Sequence, residues 1–150
     1  MLLDKQDRLN EIVENLRIKG LRLTPQRLAI LKILVSTNSH PTVEEVFSFV
    51  KQDFPMTSLA TVYKTIALLK DIEEVVELDF GNEPNRYDGT NKKPHPHLIC
   101  INCKKIIDPD LELWNQIPEI INKTTGYKVT NYRMDVFGVC PNCQQKLLKV

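Results

Sequence analysis

The sequence lacks the features of an exported or membrane-embedded protein. No uninterrupted apolar run exceeds four residues, and the N-terminus carries Asp4, Lys5, Asp7 and Arg8 with no apolar core behind them. A secretory signal needs an apolar stretch of about 7–15 residues, and a membrane helix needs about 20. We therefore expect a cytoplasmic protein without a membrane partner. Because cytoplasmic thiols are kept reduced, its four cysteines are expected to bind metal rather than form disulfides.

An excess of charge is also missing. The 150 residues carry 20 Lys and Arg against 19 Asp and Glu, a formal charge of +1 at pH 7. Bulk charge thus does not indicate a nucleic-acid-binding protein, and any DNA contact must come from local clustering. One basic cluster occurs, formed by Arg17, Lys19, Arg22 and Arg27. By itself this cluster would equally suit an ordinary solvated surface.

The first part of the chain has the periodicity of consecutive helices. Leu9, Ile12, Val13 and Leu16 fall on one helical face that ends before Gly20, which predicts a helix over 5–19. Thr24 followed by Pro25 predicts the start of a second helix that continues to about residue 37. Thr42 with Glu45 forms a capping box for a third helix, which ends before Pro55.

A fourth helix and a hairpin complete this region. Ser58 can cap the helix, with Leu59, Val62, Ile66 and Leu69 facing inward and Ala60, Thr61, Tyr63 and Lys64 facing outward. Alternating apolar residues from Val76 to Phe80, the turn at Gly81 and the return over 85–87 predict the hairpin. Four helices and a hairpin indicate a winged helix-turn-helix, and we place this DNA-binding domain at residues 1–87.

The remainder predicts a second, smaller domain. Residues 88–96 are polar and rich in turn-forming residues, as expected of a hinge. Beyond them, 97–101, 104–107 and 127–137 are predicted strands around a helix near 111–124, whose register Pro118 leaves open. The predicted fold class is therefore α+β, with a small α/β domain at 97–150.

The cysteines form two identical pairs, Cys100-x2-Cys103 and Cys140-x2-Cys143, separated by 36 residues. Four thiolates suit tetrahedral Zn²⁺, and each C-x2-C places two sulfurs on one ion through a tight turn. A thioredoxin-type redox pair is the alternative, but it needs a single C-x-x-C near a βαβ pattern. We therefore predict a structural zinc site that ties together the two ends of the second domain.

Histidine is scarce, with only His40, His95 and His97 present. In His95-Pro96-His97 the two imidazoles stand at i and i+2, so on an extended strand they point to one side and can share a metal. From the residues alone, a pair of exposed loop histidines and a turn at His40-Pro41 explain the pattern equally well. A further possibility, that His97 joins the zinc site, is disfavoured because four thiolates already close that site.

Several motifs together carry a family resemblance. They are the run from Gly20 to Arg27 (GLRLTPQR), His40-Pro41-Thr42, Ala60-Thr61-Val62-Tyr63, the run from His95 to Cys103 and the final C-x2-C. In order and spacing the chain resembles the ferric uptake regulator (Fur) family over almost its whole length. Within the family it is most similar to the peroxide-sensing branch, because Asp108 stands where iron-responsive members typically have Glu.

The resemblance implies a site and a function. It matches His40, Asp88, His95, His97 and Asp108 to the ligands of a regulatory Fe²⁺ or Mn²⁺. It implies a homodimeric repressor, with 97–150 as the dimerisation and metal-binding domain. In this repressor, peroxide reacts at the bound iron and oxidises His40 or His95. No histidine occurs over 131–134, so the further metal site of many Fur proteins is expected to be absent. Metal binding would set the angle between the domains, and thereby the spacing of the two recognition helices on DNA.

For the DNA contacts we expect the start of the fourth helix to enter the major groove. Tyr63 can pack on thymine methyl groups and Lys64 can reach a guanine edge, while Arg22 and Arg27 suit phosphates. Ser58, Ala60 and Thr61 share the outward face. Lys64 matches neither the Asn expected in peroxide sensors nor the Arg expected in Fur proteins, which leaves the preferred operator open.

Two other functions compete with the peroxide sensor. One is a repressor of the same family that responds to iron, manganese or zinc without oxidation. The other is a metalloenzyme using the His and Asp residues, which ranks low because five protein ligands leave little room for a substrate and a helix-turn-helix would be unexplained. We therefore do not expect an enzyme.

Overall fold

A computed structural model describes residues 4–91 and 93–149 of the chain. It divides the chain into two compact units, Met1–Lys92 and Lys93–Val150, called here the N-terminal and C-terminal units. The domain limits expected from the sequence, 1–87 and 97–150 with a hinge over 88–96, remain a prediction. Within the described residues, no helix is both long enough and apolar enough to span a membrane.

The N-terminal unit consists of four helices followed by a two-stranded antiparallel sheet. In chain order these are α1 Lys5–Ile18, α2 Pro25–Ser36, α3 Val43–Asp53, α4 Leu59–Asp71, β1 Val76–Phe80 and β2 Glu83–Asp88. This is the winged helix-turn-helix that the sequence predicts, with β1 and β2 as the wing. The predicted fold class, α+β, is confirmed.

The helix starts follow the predicted capping residues. The Thr24 hydroxyl accepts a hydrogen bond from the Arg27 backbone N–H at 3.2 Å, and Thr42 accepts one from the Glu45 N–H at 3.1 Å. Ser58 caps α4 in the same way. Each bond satisfies an amide that the helix itself leaves without a partner. Gly20 has φ +67°, the left-handed conformation that suits glycine after the end of α1.

The core of this unit lies where α1–α4 meet. It includes Ile12, Ile30, Val46 and Val62, none of which has measurable exposure. Leu59 departs from the prediction, since it is 37% exposed rather than inward-facing. It is the first residue of α4, immediately after the cap, where the helix has just begun.

The C-terminal unit is built from shorter elements. They are β3 His97–Cys100, β4 Ile106–Ile107, a 3₁₀ turn at Glu112–Gln116, α5 Ile117–Thr125, β5 Asp135–Gly138 and α6 Pro141–Leu148. The sheet order is β4-β3-β5, with β3 antiparallel to β4 and parallel to β5. The sheet brings the first cysteine pair, at the end of β3, close to the second pair, after β5.

Three predictions for this unit need correction. The strand expected over 104–107 is present only as Ile106–Ile107, since only Ile106 and Ile107 pair with β3. The strand expected over 127–137 is present only as β5, because β5 pairs with the four-residue strand β3 and residues 126–134 have no regular structure. The helix expected over 111–124 is a 3₁₀ turn followed by α5. Pro118 lies in the first turn of α5, where its missing N–H costs nothing, and the α-helix begins just before it. α6 was not predicted.

Candidate metal centres and nucleic-acid interface

The four cysteines come together in the C-terminal unit. One sulfur from each of Cys100, Cys103, Cys140 and Cys143 lies within 4.8 Å of every other, and the Cys103 and Cys140 Sγ atoms are 3.7 Å apart. Sulfurs at the corners of a tetrahedron around Zn²⁺, each about 2.3 Å from the ion, would lie about 3.8 Å apart. The cluster therefore fits a tetrahedral zinc ion.

Backbone amides favour thiolates at this cluster. The pKa of Cys100 is lowered to about 6, first by a backbone hydrogen bond from Cys103 and then by one from Cys140, whose N–H is 3.3 Å from the Cys100 Sγ. The Cys140 sulfur caps α6 by accepting from the Cys143 N–H at 3.5 Å, and its pKa is also lowered. Because thiolates are the form that binds metal, these amides favour the metal-binding form of Cys100 and Cys140. The side-chain hydrogen bond with Cys140, followed by burial, raises the pKa of Cys143 to about 12, so this thiol would lose its proton on binding zinc.

In the N-terminal unit, two of the predicted ligands are adjacent and buried. The His40 Nε2 atom lies 3.3 Å from Oδ2 of Asp88, and each residue is 1% exposed. The other oxygen of Asp88 accepts hydrogen bonds from the Thr90 backbone N–H at 2.9 Å and from its hydroxyl at 2.6 Å. These bonds fix the carboxylate so that Oδ2 faces the imidazole.

The backbone around His40 is held in an uncommon conformation. His40 has φ 55°, which is rare for a residue with a side chain. Arg86 on β2 donates from Nε to the His40 carbonyl at 2.5 Å and from Nη2 to the Ser39 carbonyl, and the Tyr87 N–H donates to the Pro41 carbonyl at 3.0 Å. The strand that ends at Asp88 therefore also holds the loop that carries His40.

The other three predicted ligands lie together in the C-terminal unit. Asp108 places one oxygen 3.6 Å from Nε2 of His95 and the other 3.7 Å from Nε2 of His97. Two atoms that each bind one ion at about 2.1 Å must lie within about 4.2 Å of each other, so this triad can share a metal. The Nδ1 of His95 is 2.8 Å from the Lys93 carbonyl, which can only accept a hydrogen. The proton is thus on Nδ1, and the Nε2 lone pair can bind metal.

Asp135 is a contact of this triad that sequence reasoning missed. Its Oδ1 lies 3.5 Å from Nδ1 of His97, and its Oδ2 accepts from Arg133 Nη2 at 2.7 Å. A carboxylate behind the distal nitrogen of a ligand histidine orients the ring. Asp135 is opposite His97 because β3 and β5 pair in parallel. No local sequence signal links residues so far apart in the chain.

The predicted DNA-contacting residues share one surface of the N-terminal unit. Arg22, Arg27, Thr61 and Lys64 line a single depression of about 360 Å³, together with Thr24, Gln26 and Thr65. The residues at and just before the start of α2, including Arg22 and Arg27, therefore lie beside the outer face of α4. Of the other predicted contacts, Ser58 and Ala60 are exposed in the first turn of α4, and Tyr63 is 48% exposed on the same helix.

Glu44 on α3 contacts this face and was not predicted to do so. The Tyr63 hydroxyl donates to its Oε1 at 3.2 Å, which raises the pKa of Tyr63. The Glu44 carboxylate therefore places a negative charge beside Tyr63 on this face. The contact joins α3 to α4 across 19 residues of sequence.

The chain combines a winged helix, which has a basic depression beside its exposed helix, with a unit that carries a four-cysteine cluster. Together these features define the class of metal-binding, DNA-binding regulators. A family model described as the ferric uptake regulator family matches residues 18–137. The chain belongs to this family, as its motifs predicted.

Individual relatives support the same family assignment. The chain is 41% identical over 138 residues to the peroxide-responsive repressor PerR of Staphylococcus aureus strain Mu50, covering 92% of this chain and 93% of that protein. Its structure is similar to the Campylobacter jejuni peroxide stress regulator, with a TM-score of 0.69, 31% identity and coverage of 90% and 98% of the two chains. The Helicobacter pylori ferric uptake regulator, described as having three functional metal-binding sites, gives a TM-score of 0.76 at 26% identity, with 95% of each chain covered.

Proposed function

We propose that the protein is a homodimeric repressor that binds operator DNA when a regulatory metal is bound, and that senses peroxide through oxidation of a ligand histidine. The observation that carries this proposal is the His95–His97–Asp108 triad, which has Asp rather than Glu as its carboxylate. The 41% identity to a peroxide-responsive repressor supports the same function. Cytoplasmic localisation belongs to this proposal.

The two groups of ligands would hold one ion. We assign His40 and Asp88 together with His95, His97 and Asp108 to Fe²⁺ or Mn²⁺, because imidazole and carboxylate suit these ions. Cys100, Cys103, Cys140 and Cys143 would hold a structural Zn²⁺. In the sequence, His40 precedes the predicted hinge, Asp88 and His95 lie within it, and His97 and Asp108 follow it. Binding the ion would therefore fix the hinge and the spacing of two recognition helices on the operator.

Two groups next to the ligands would prepare the site for sensing. Thr90 orients Asp88, and the Lys93 carbonyl selects the His95 tautomer whose Nε2 can bind metal. Bound Fe²⁺ would supply the reaction with peroxide that oxidises His40 or His95. The oxidised imidazole would be a poorer ligand, so the affinity for the ion and then for DNA would fall. Linkage requires that DNA and metal strengthen each other's binding equally, typically by about 1–3 kcal/mol.

On DNA, Tyr63 and Lys64 would contact base edges, and Arg22 and Arg27 would bind phosphates. Ser58, Ala60 and Thr61 would approach the same groove from the first turn of α4. The depression that joins the two arginines to Lys64 supports one continuous contact surface.

The test compares the iron-loaded with the manganese-loaded protein after exposure to H₂O₂. We expect the iron form to release DNA and to gain one oxygen atom in a peptide that contains His40 or His95, measured by peptide mass spectrometry. The manganese form should do neither. Equal release from both forms, or oxygen found only at the four cysteines, would exclude histidine oxidation.

A metal-homeostasis repressor is the second candidate, favoured by the likeness to the Helicobacter pylori regulator. Asp108→Glu separates the two functions. A longer carboxylate moves the ligand oxygen by about the length of one carbon–carbon bond, roughly 1.5 Å. We expect this variant to keep metal-dependent DNA binding and to lose much of its peroxide sensitivity. If the parent protein is itself insensitive to peroxide, the homeostasis repressor is the better function. Salt must be matched throughout, because phosphate contacts weaken steeply with ionic strength.

A further inference from the structure

A buried ion pair links the N-terminal helix to the segment after α4. Arg8 on α1 is 1% exposed, and its Nη1 lies 2.8 Å from Oε2 of Glu74, whose side chain is fully buried. Arg8 Nη2 donates to the Glu74 carbonyl at 2.8 Å, and the other carboxylate oxygen of Glu74 accepts from Asn15. Glu11 also accepts from Nη1, at 3.0 Å.

The third nitrogen of the guanidinium is directed elsewhere. Arg8 Nε donates to the backbone carbonyl of Gly89 at 3.1 Å, in a buried hydrogen bond that spans 81 residues of sequence. Gly89 immediately follows Asp88. The guanidinium therefore holds the peptide next to a predicted metal ligand while both of its other nitrogens are bound to Glu74.

Gly89 is also confined by helix α2. A Cβ atom added to this glycine would lie 3.0 Å from Cβ of Leu34 and 3.3 Å from its backbone carbon and oxygen on α2. The segment therefore contacts both α2 and the Arg8 guanidinium. Thr90 holds the Asp88 carboxylate. Together with the pairing of Asp88 with Val76 on β1, these contacts hold Asp88 in place.

Stability alone does not account for the ion pair. Burying two charges removes them from water, and well-packed apolar side chains of similar volume often stabilise a fold as well or better. An apolar residue in place of Arg8 could not donate to the Gly89 carbonyl. Lysine could not do so either while serving both acceptors of Glu74, because it lacks the rigid fork of a guanidinium.

We propose that Arg8, fixed by Glu74, is a positioning residue for Asp88, so that helix α1 is coupled to the regulatory metal. This inference rests on the proposed function, in which Asp88 is a ligand. Arg8 acts through the peptide of Gly89 and does not touch the ion. By linkage, metal binding must stabilise the α1 contact by the same free energy that the contact contributes to metal binding.

The test measures Mn²⁺ affinity of the zinc-loaded, full-length protein by competition with a fluorescent chelator, and records the visible absorption spectrum of Co²⁺ bound instead. We expect Arg8→Lys to weaken Mn²⁺ binding about tenfold or more, as loss of a group that orients a ligand does, and to change the Co²⁺ spectrum. Gly89→Ala should have the same two effects, because its Cβ would push the segment away from Leu34. It provides the second variant if Arg8→Lys does not fold.

Ile12→Val is the matched control. Ile12 is fully buried on α1, one turn beyond Arg8, and this change removes core volume while both partners of the Arg8–Gly89 hydrogen bond are retained. It should leave both the Mn²⁺ affinity and the Co²⁺ spectrum as in the parent. If it weakens Mn²⁺ binding as much as Arg8→Lys does, the effect is general destabilisation and the inference is overturned.

Asp88→Ala separates this inference from the proposed function. If Asp88→Ala abolishes Mn²⁺ binding while Arg8→Lys and Gly89→Ala retain the parent affinity and spectrum, the inference alone is wrong. If Asp88→Ala has no effect on Mn²⁺ binding, Asp88 is not a ligand, and the metal site and this inference are both overturned.

Discussion

The two units are stabilised in different ways. The N-terminal unit has a continuous hydrophobic core that draws on all four helices and on Tyr87 of the wing. Among the described residues of the C-terminal unit, the buried hydrophobic side chains are Ile99, Ile106 and Trp114 and the thiols Cys100 and Cys143. Helix α5 has no buried residue at all. Ile120 and Ile121 on this helix are exposed, as are Leu113, Tyr127 and Phe137.

The difference shows what each unit needs in order to fold. Domains below about 70–80 residues seldom gain enough stability from a core alone and often depend on a metal or on oligomerisation. The N-terminal unit, Met1–Lys92, exceeds this size and is stabilised by apolar packing and three capped helices. The C-terminal unit instead has a thiolate cluster for a metal, and an apolar surface that the proposed homodimer would cover.

The largest effect should come from the metal cluster. Cys143→Ser removes one of four thiolates and should release zinc and unfold the C-terminal unit, because zinc binding contributes about 10–16 kcal/mol of folding free energy in small zinc domains. The N-terminal unit should remain folded. Zinc content by elemental analysis and hydrogen exchange resolved by peptide would show both results. Full zinc content with protected amides in 97–149 would contradict the structural role of the cluster.

The reverse experiment removes core volume from the N-terminal unit. Ile30→Ala should lower the free energy of unfolding of this unit by about 2–5 kcal/mol, because the fully buried side chain leaves a cavity. Zinc content should not change. Ile18→Ala is the control, since Ile18 is 71% exposed on α1. Chemical denaturation gives the free energies; equal losses for the two variants would show that the core does not stabilise the unit as described.

A smaller effect is expected at Asp135, which contacts His97 of the histidine triad. Asp135→Asn should weaken Mn²⁺ binding about tenfold to a hundredfold, because the neutral amide orients and polarises His97 less well. Zinc should stay bound. Asp110→Asn provides an exposed carboxylate in the same unit as a control. Chelator competition measures the affinity, and an unchanged value for Asp135→Asn would show that the 3.5 Å contact with His97 does not support the metal.

Local signals explain what the sequence predicted about the fold. A cap such as Thr42 and a stripe such as Val62–Ile66–Leu69 act within one or two helical turns, so the helices and wing of the N-terminal unit could be placed in advance. In the C-terminal unit the strand expected over 127–137 was too long. Its pairing partner β3 has four residues, and this length is not encoded near residue 127.

The distinction between local signals and contacts made only in the completed fold also applies to the candidate sites. The cysteine pairs are local motifs, and the five His and Asp ligands followed from a family resemblance that includes their spacing. Their supports could not be predicted. Asp135 meets His97 through a parallel strand pair, and Arg8 reaches Gly89 across 81 residues. Such contacts depend on the completed fold, and the periodicity of each segment says nothing about them.

The smallest effect tests how the two units begin their helices. In the N-terminal unit, α2 is capped by the Thr24 hydroxyl, whereas the thiol of Cys140 caps α6 in the C-terminal unit. Thr24→Ala should therefore lower the free energy of unfolding of the N-terminal unit by about 1 kcal/mol, with zinc content unchanged, because the Arg27 amide loses its acceptor. Thr24→Ser should retain most of the stability, since serine caps as well. Chemical denaturation of both variants measures the loss. If Thr24→Ser is as unstable as Thr24→Ala, the methyl group of Thr24 and not its hydroxyl stabilises the start of α2. If Thr24→Ala instead lowers zinc content, the two units do not fold independently and the contrast between them fails.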